Sequence, residues 1–271
     1  MGTVEAYEES AVLRRLSAGG TLVAQTPELA EVYQDGDRYW LVDDRWGVCE
    51  MNLLKASWRS WVIPSPKLEP FRCVEMAILW PMAQLLRARG VHLVPATSVV
   101  RDGWGALLIS PFSLEPELKA MLRVGYRLIG QRWTAIREEN GAAVLLHVPG
   151  KTEQRGVPRL SAGSALSDSW ADLCDGRPGA VGDRAICRAV FAAEHGRRPK
   201  AYLREMNPTN AAALLRRSWP IPDLHPQRRH SPVTARLAET CRCCDIQLSR
   251  NPKDFLALLQ AVSLPVTAAV A

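Results

Sequence analysis

The chain has 271 residues, 47% hydrophobic and 23% charged, an ordinary globular mix with enough length to bury a core. Its net charge of +6 is uneven: residues 1–90 carry −2, residues 91–150 carry +1 and residues 151–271 carry +7. No apolar run reaches the roughly 18 residues of a membrane helix, the acidic start lacks a signal-peptide core, and seven irregularly spaced cysteines suit a reduced, cytoplasmic protein rather than a disulfide scaffold.

From Thr21 to about Ile63 the pattern is strands and turns. Arg38–Val42 is rich in strand formers behind the turn signal Asp35-Gly36, and Trp46–Cys49 and Ser57–Ile63 continue it. Leu79, Met82, Leu85 and Leu86 recur at helical spacing, which predicts a helix over about Leu68–Arg89, closed by Gly90. The centre then reads as strand His92–Val100, tight turn Asp102-Gly103, apolar strand Ala106–Ile109, and helix Leu114–Arg123 capped by Ser113. Strands Tyr126–Ile129, Thr134–Ile136 and Ala142–Val148 follow. Residues 150–182, rich in Gly, Ser and Pro, read as a long flexible segment. Beyond it come strand Ile186–Phe191, a helix opened by Asn207-Pro208 and running to Trp219, helix Val233–Cys241, strand Cys244–Leu248, and helix Pro252–Val262.

The stretch Val91–Trp133 resembles the core of HPr serine kinase-like proteins. In that family a strand ending in a Leu-His-Ala-like motif leads through a hairpin to an apolar strand. A phosphate-binding loop of the type G-P-S-G-S-G-K-S-T follows, then a helix, then a segment like A-G-Y-R-L-L-G-D-D-W. The same frame here runs from His92 through Ile109, then Ser110-Pro-Phe-Ser-Leu-Glu-Pro-Glu-Leu118, then Val124-Gly-Tyr-Arg-Leu-Ile-Gly-Gln-Arg-Trp133. Met206-Asn-Pro-Thr-Asn-Ala-Ala213 is similar to the family's late helix, and the likeness extends to about Val262. The resemblance implies an α/β (α+β) fold: a P-loop-type core sheet with flanking helices over residues 68–271, behind a small strand-rich region over residues 1–67.

The departures from the family decide what it implies for activity. With the loop placed on Ser110–Leu118, the glycines fall on Ser110, Ser113 and Glu115, the lysine on Pro116, and the metal-binding hydroxyl on Glu117. No glycine remains to take positive φ at low cost, and Pro116 lacks an N–H. Glu115 and Glu117 bring anions toward the place of the phosphates. Two unit charges about 4 Å apart repel by roughly 4 kcal/mol at an effective dielectric of 20. Lys119 follows three positions late and is not expected to substitute. The family's histidine falls on Pro95, and its acidic pair falls on Gln131 and Arg132, so metal coordination and a carboxylate base are lost together.

The remaining chemistry is sparse. Cys241, Cys243 and Cys244 lack the CxxC pairs of a zinc site and read as buried small hydrophobes. Arg197, Arg198, Arg228 and Arg229 supply part of the C-terminal basic excess; dispersed pairs interrupted by acids do not make a nucleic-acid stripe, and they read as candidates for binding an acidic protein or peptide partner. Tryptophan outnumbers phenylalanine 9 to 4. Trp58 and Trp61 lie three apart in a strand and must point to opposite faces, which makes them partner-binding candidates.

The expectation is a pseudokinase with no catalytic residue, no metal and no cofactor. It would serve as a scaffold or accessory in a protein- or peptide-modification or biosynthesis pathway. The resemblance implies a protein or peptide client held in a hetero-complex, with no membrane partner, and assigns no oligomeric state. The alternatives are an unconventional ATP-dependent protein or peptide serine kinase, using Arg132 and the segment Lys151–Gly182, and a nucleic-acid binder.

Overall fold

The computed structural model describes residues 2–6, 20–25, 31–43, 47–62, 74–148, 180–195, 200–217, 224 and 232–263. Arg197, Arg198, Arg228 and Arg229 lie outside the described residues, as do residues 150–179 of the segment expected to be flexible. The fold is mixed α/β, in two compact units: residues 1–92 with 219–231, and residues 93–218 with 232–271.

The first unit is built on a six-stranded sheet in the order β1-β6-β5-β4-β3-β2. Its strands are β1 (Gly2–Ala6), β2 (Thr21–Gln25), β3 (Glu31–Asp35), β4 (Arg38–Asp43), β5 (Gly47–Asn52) and β6 (Ser57–Val62). All neighbours are antiparallel except β1 on β6. Alternation separates two faces, as the period of two requires. Trp40 stacks on Trp61 at 6.2 Å, with the Arg59 guanidinium 5.8 Å from the Trp61 ring. Val32, Leu41, Cys49, Met51 and Ser60 are buried on the other face. The Ser60 hydroxyl donates to Ala77 O at 2.7 Å. Ala77 belongs to helix α1, π-wound over Glu75–Leu79 and α-wound over Trp80–Arg87.

The second unit holds a curled sheet in the order β10-β8-β9-β13-β12-β11-β7, with β15 also on β13 and β14 on β15. The predicted strand His92–Val100 is in fact two: β7 (Val91–Val94) and β8 (Thr97–Arg101), separated by a bend at Pro95 and Ala96. A proline with no N–H to donate ends the first ladder there. Strand β8 forms a hairpin with β9 (Trp104–Ile109) through Asp102 (φ 50) and Gly103 (φ 77), the left-handed pair of a type I′ turn. Helix α2 (Glu115–Arg123) follows. Strands β10 (Arg127–Gly130), β11 (Thr134–Glu139) and β12 (Ala142–Leu146) complete the centre.

Strand β13 (Arg184–His195) is longer than its predicted apolar core and organises the unit. Strands β9 and β15 (Arg242–Leu248) pair with it in parallel on its two edges. Strand β14 (Tyr202–Glu205), which the sequence did not signal, pairs with β15. Helices α3 (Pro208–Arg217), α4 (Pro232–Thr240) and α5 (Pro252–Ser263) complete it. Asn207 caps α3 through its side-chain oxygen, which accepts the Asn210 N–H at 2.8 Å. At the end of the segment expected to be flexible, Leu128 and residues 180–182 exchange two backbone hydrogen bonds of 2.8 Å. One core joins α2 and α5 to the sheet, with Leu118 and Met121 packed beside Phe191, Phe255 and Leu259.

Candidate functional site

The site forms where β9 ends. Three parallel strands, β9, β13 and β15, send their carboxyl ends the same way, the edge at which open α/β sheets usually hold ligands. From Ile109 the chain crosses Ser110–Leu114 and enters α2, while the bends before β8 and before β11 rise beside it. Between them lies a cavity of about 300 Å³. Its lining includes Pro95, Ser110, Ser113, Glu115, Gln131 and Arg132. Thus residues 95, 110–115 and 131–132, far apart in sequence, converge on one space. Pro116 and Glu117 are not among the lining residues: Pro116 is exposed and Glu117 is buried.

The connection is closed on itself. The Phe112 N–H donates to Ser110 Oγ at 3.2 Å, and the Ser110 hydroxyl reaches Phe112 O at 2.9 Å. The expected cap at Ser113 is displaced by one residue. The N-cap is Leu114, which has no side-chain cap bond, and the Glu115 N–H lies 3.4 Å from Ser113 Oγ. Leu114 is buried in the shared core, so packing rather than capping chose that position. The Glu115 carboxylate forms an i,i+4 ion pair with Lys119, so this lysine serves the glutamate on its own helix.

The opposite wall is pinned. A Cβ on Gly130 would meet Trp133 O at 2.5 Å and Thr134 Oγ1 at 2.7 Å, so no larger residue fits without movement. The Thr134 hydroxyl contacts Ala96 O and Ser98 Oγ, both at 2.9 Å and both buried. It thereby ties the bend carrying Arg132 to the bend carrying Pro95. Between Gly130 and Thr134, Arg132 is held at φ +66, a conformation that residues with a Cβ adopt sparingly.

No family model matches the chain, and no curated protein does. Among solved structures it is similar to the Hpr(Ser) kinase/phosphatase from Coxiella burnetii, with 11% identity and a TM-score of 0.35 over 63% of this chain and 95% of that one.

The other candidates fall elsewhere. Trp58 and Trp61 lie on opposite faces of the first unit's sheet, each half-buried, and the Trp58 Nε1–H is buried without a hydrogen-bond partner. Cys241, Cys243 and Cys244 are buried, as is Cys187, and the Cys241 thiol donates to Cys187 O at 3.3 Å. Among the described residues no group of three or more His, Cys, Asp or Glu could hold a metal, and no helix is long and apolar enough to cross a membrane. Sequence reasoning missed Thr97 and Leu108 in the cavity wall and the Gly130–Thr134 clamp. Pro95 is the signal in the sequence for a bend beside Thr97.

Proposed function

We propose that the chain is a catalytically inactive relative of the HPr serine kinase-like proteins, with a degenerate P-loop-type core, that binds or scaffolds a peptide or protein client. One observation carries this reading: the disposition of the backbone N–H groups in front of α2. From Pro111 to Leu118, five of eight positions are withheld from the cavity. Pro111 and Pro116 have no N–H, and those of Phe112, Glu115 and Leu118 point to Ser110 Oγ, Ser113 Oγ and Leu114 O. A phosphate loop acts by turning successive N–H groups inward around the anion, with a lysine and a metal-binding hydroxyl beyond them. Here the lysine one turn on is occupied by Glu115, and the lining brings one acidic side chain against one basic one, Glu115 and Arg132.

The mechanism is docking without group transfer. The frame resemblance from Val91 to Trp133 supplies the family, and through it the peptide or protein client. Calorimetric titration with Mg–ATP and Mg–ADP, followed by a phosphate-transfer assay on co-expressed proteins, tests the reading. The expected result is no saturable heat and no transfer. Micromolar nucleotide binding with phosphate delivered to a serine would replace it with the ATP-dependent kinase.

A further inference from the structure

We propose that Cys187 and Cys241 are a redox-sensitive pair, joined by a reversible disulfide when the chain meets a peroxide, and that this bond staples the α4–β15 connection to β13. Both are free, buried thiols in the second unit. The pair needs neither the client nor the cavity in front of α2. Cys187 pairs with Gly105, at the opposite end of β9 from Ile109.

A bulge brings the two side chains to one face. Strand β13 pairs with β9 as Cys187↔Gly105 and Ala189↔Ala106, so Arg188 is an extra residue. Side chains alternate along a strand, and one extra residue reverses the alternation behind it. Ala189 and Phe191 face the core shared with α2 and α5, so Cys187 is turned to the other face. Val190 belongs to that other face and pairs with Cys243, whose thiol donates to Leu237 O of α4 at 3.8 Å. Cys241 lies two residues before Cys243, and its thiol donates to Cys187 O at 3.3 Å. Adjacent strands run about 4.8 Å apart, within the roughly 4.4–6.8 Å between Cα atoms that a disulfide spans.

The surroundings divide the work between the two thiols. Cys241 keeps 8% of its surface exposed and Cys187 only 2%, so a small oxidant meets Cys241 first. The Cys187 side chain, the Thr240 hydroxyl at 3.9 Å and the Arg188 charge hold the Cys241 thiol below its ordinary value, against the effect of burial. The Cys241 side chain and burial push Cys187 well up, so it stays protonated. The thiolate is the nucleophile. Cys241 Sγ attacks one oxygen of hydrogen peroxide, the O–O bond breaks, and a sulfenic acid and hydroxide form. Cys187 Sγ then attacks the sulfenic sulfur: the S–S bond forms, the S–O bond breaks and a second hydroxide leaves. The two thiol protons complete two waters, so two thiols are oxidised to one disulfide as one peroxide is reduced.

The test treats the full folded chain with hydrogen peroxide, blocks the remaining thiols with N-ethylmaleimide and maps a tryptic digest by mass spectrometry, before and after dithiothreitol. Cleavage at Arg184, Arg188, Arg236, Arg242 and Arg250 leaves Cys187 in Ala185–Arg188, Cys241 in Leu237–Arg242, and Cys243 with Cys244 in Cys243–Arg250. The expected product is a crosslink of Ala185–Arg188 to Leu237–Arg242, lighter than the separate peptides by two hydrogens and lost on reduction. Because the bond closes a long loop of the unfolded chain, the melting temperature of the oxidised protein should rise by several degrees. Cys187→Ala should leave Cys241 as a sulfenic acid that dimedone traps, with no such rise, and Cys243→Ala should keep the crosslink. Cys187 linked to Cys243–Arg250 instead, both Cys187 and Cys241 blocked by maleimide after peroxide, a crosslink formed only in denaturant, or an unchanged melting temperature would each overturn the pairing. The map of the wild-type chain decides the matter even where a variant fails to fold.

Discussion

Two strand–loop–helix connections stand side by side in the second unit. Strands β9 and β15 flank β13 in parallel, and the helices that follow them, α2 and α5, share one core. Both loops open with a serine in the same turn. Ser110 Oγ accepts the Phe112 N–H at 3.2 Å, and Ser249 Oγ accepts the Asn251 N–H at 3.1 Å. Beyond that point they diverge. The loop into α5 seals its helix: Asn251 Oδ1 takes the Lys253 N–H at 3.2 Å, and Asp254 meets both Ser249 Oγ (2.8 Å) and Asn251 Nδ2 (3.2 Å). The loop into α2 is longer by Ser113 and Leu114, and its apolar N-cap makes no side-chain bond. A cavity lies in front of α2. The difference shows that the open site depends on loop length and a cap residue drawn into the core. No glycine lies between Ile109 and Glu115, so the opening needs none.

The largest expected effect removes what the two connections share. Phe255→Ala empties a fully buried ring position between α2 and α5 and should cost about 3–5 kcal/mol in a denaturant titration. A loss under about 1 kcal/mol would mean that the helices do not share a core.

Alkaline pH should separate the two sides. Strand β15 carries Cys243 and Cys244, whose thiols burial pushes up to about 12 and about 11, whereas β9 carries no thiol. Because the folded values are raised, their contribution to stability is complete below the ordinary thiol value of 9 and fades as pH climbs toward 11–12. The melting temperature should therefore fall above pH 9, and iodoacetamide at pH 8 should reach these thiols only on unfolding. Rapid labelling of the folded chain would contradict the burial.

The clamp beside α2 has no counterpart described at α5. Thr134→Val deletes a buried hydroxyl with two partners, and about 1–3 kcal/mol should be lost. A loss under about 0.5 kcal/mol would show that the hydroxyl is not holding the two bends together. The smallest effects compare the caps. Asn251→Ala should cost about 1 kcal/mol, whereas Ser113→Ala, losing a long 3.4 Å contact, should cost less than half of that. Equal costs would show that the two helices are capped alike.

Much of this was legible in one dimension. Asp102-Gly103 forms the turn its residues demand, Asn207-Pro208 opens a helix as capping chemistry requires, and alternation separates Trp58 from Trp61. The misreadings have local causes. The stretch from His92 to Val100 is apolar enough to hide the break at Pro95, and β14, Tyr-Leu-Arg-Glu, is too short and too charged to signal a strand. Its pairing with β15 supplies what its own residues do not.

For the site, the sequence by itself determined the chemical inventory: serines, prolines and glutamates where a phosphate loop would need glycines, lysine and a metal-binding hydroxyl. Residue type and order suffice for that, because an absent N–H or an added carboxylate is a property of the chain. Only the tertiary structure decided that Pro95, Ser113 and Arg132 surround one cavity and that Glu117 is buried outside its lining. Those facts arise from parallel pairing of β9 with β13 and from the Thr134 clamp, contacts between segments far apart in sequence that no local pattern encodes.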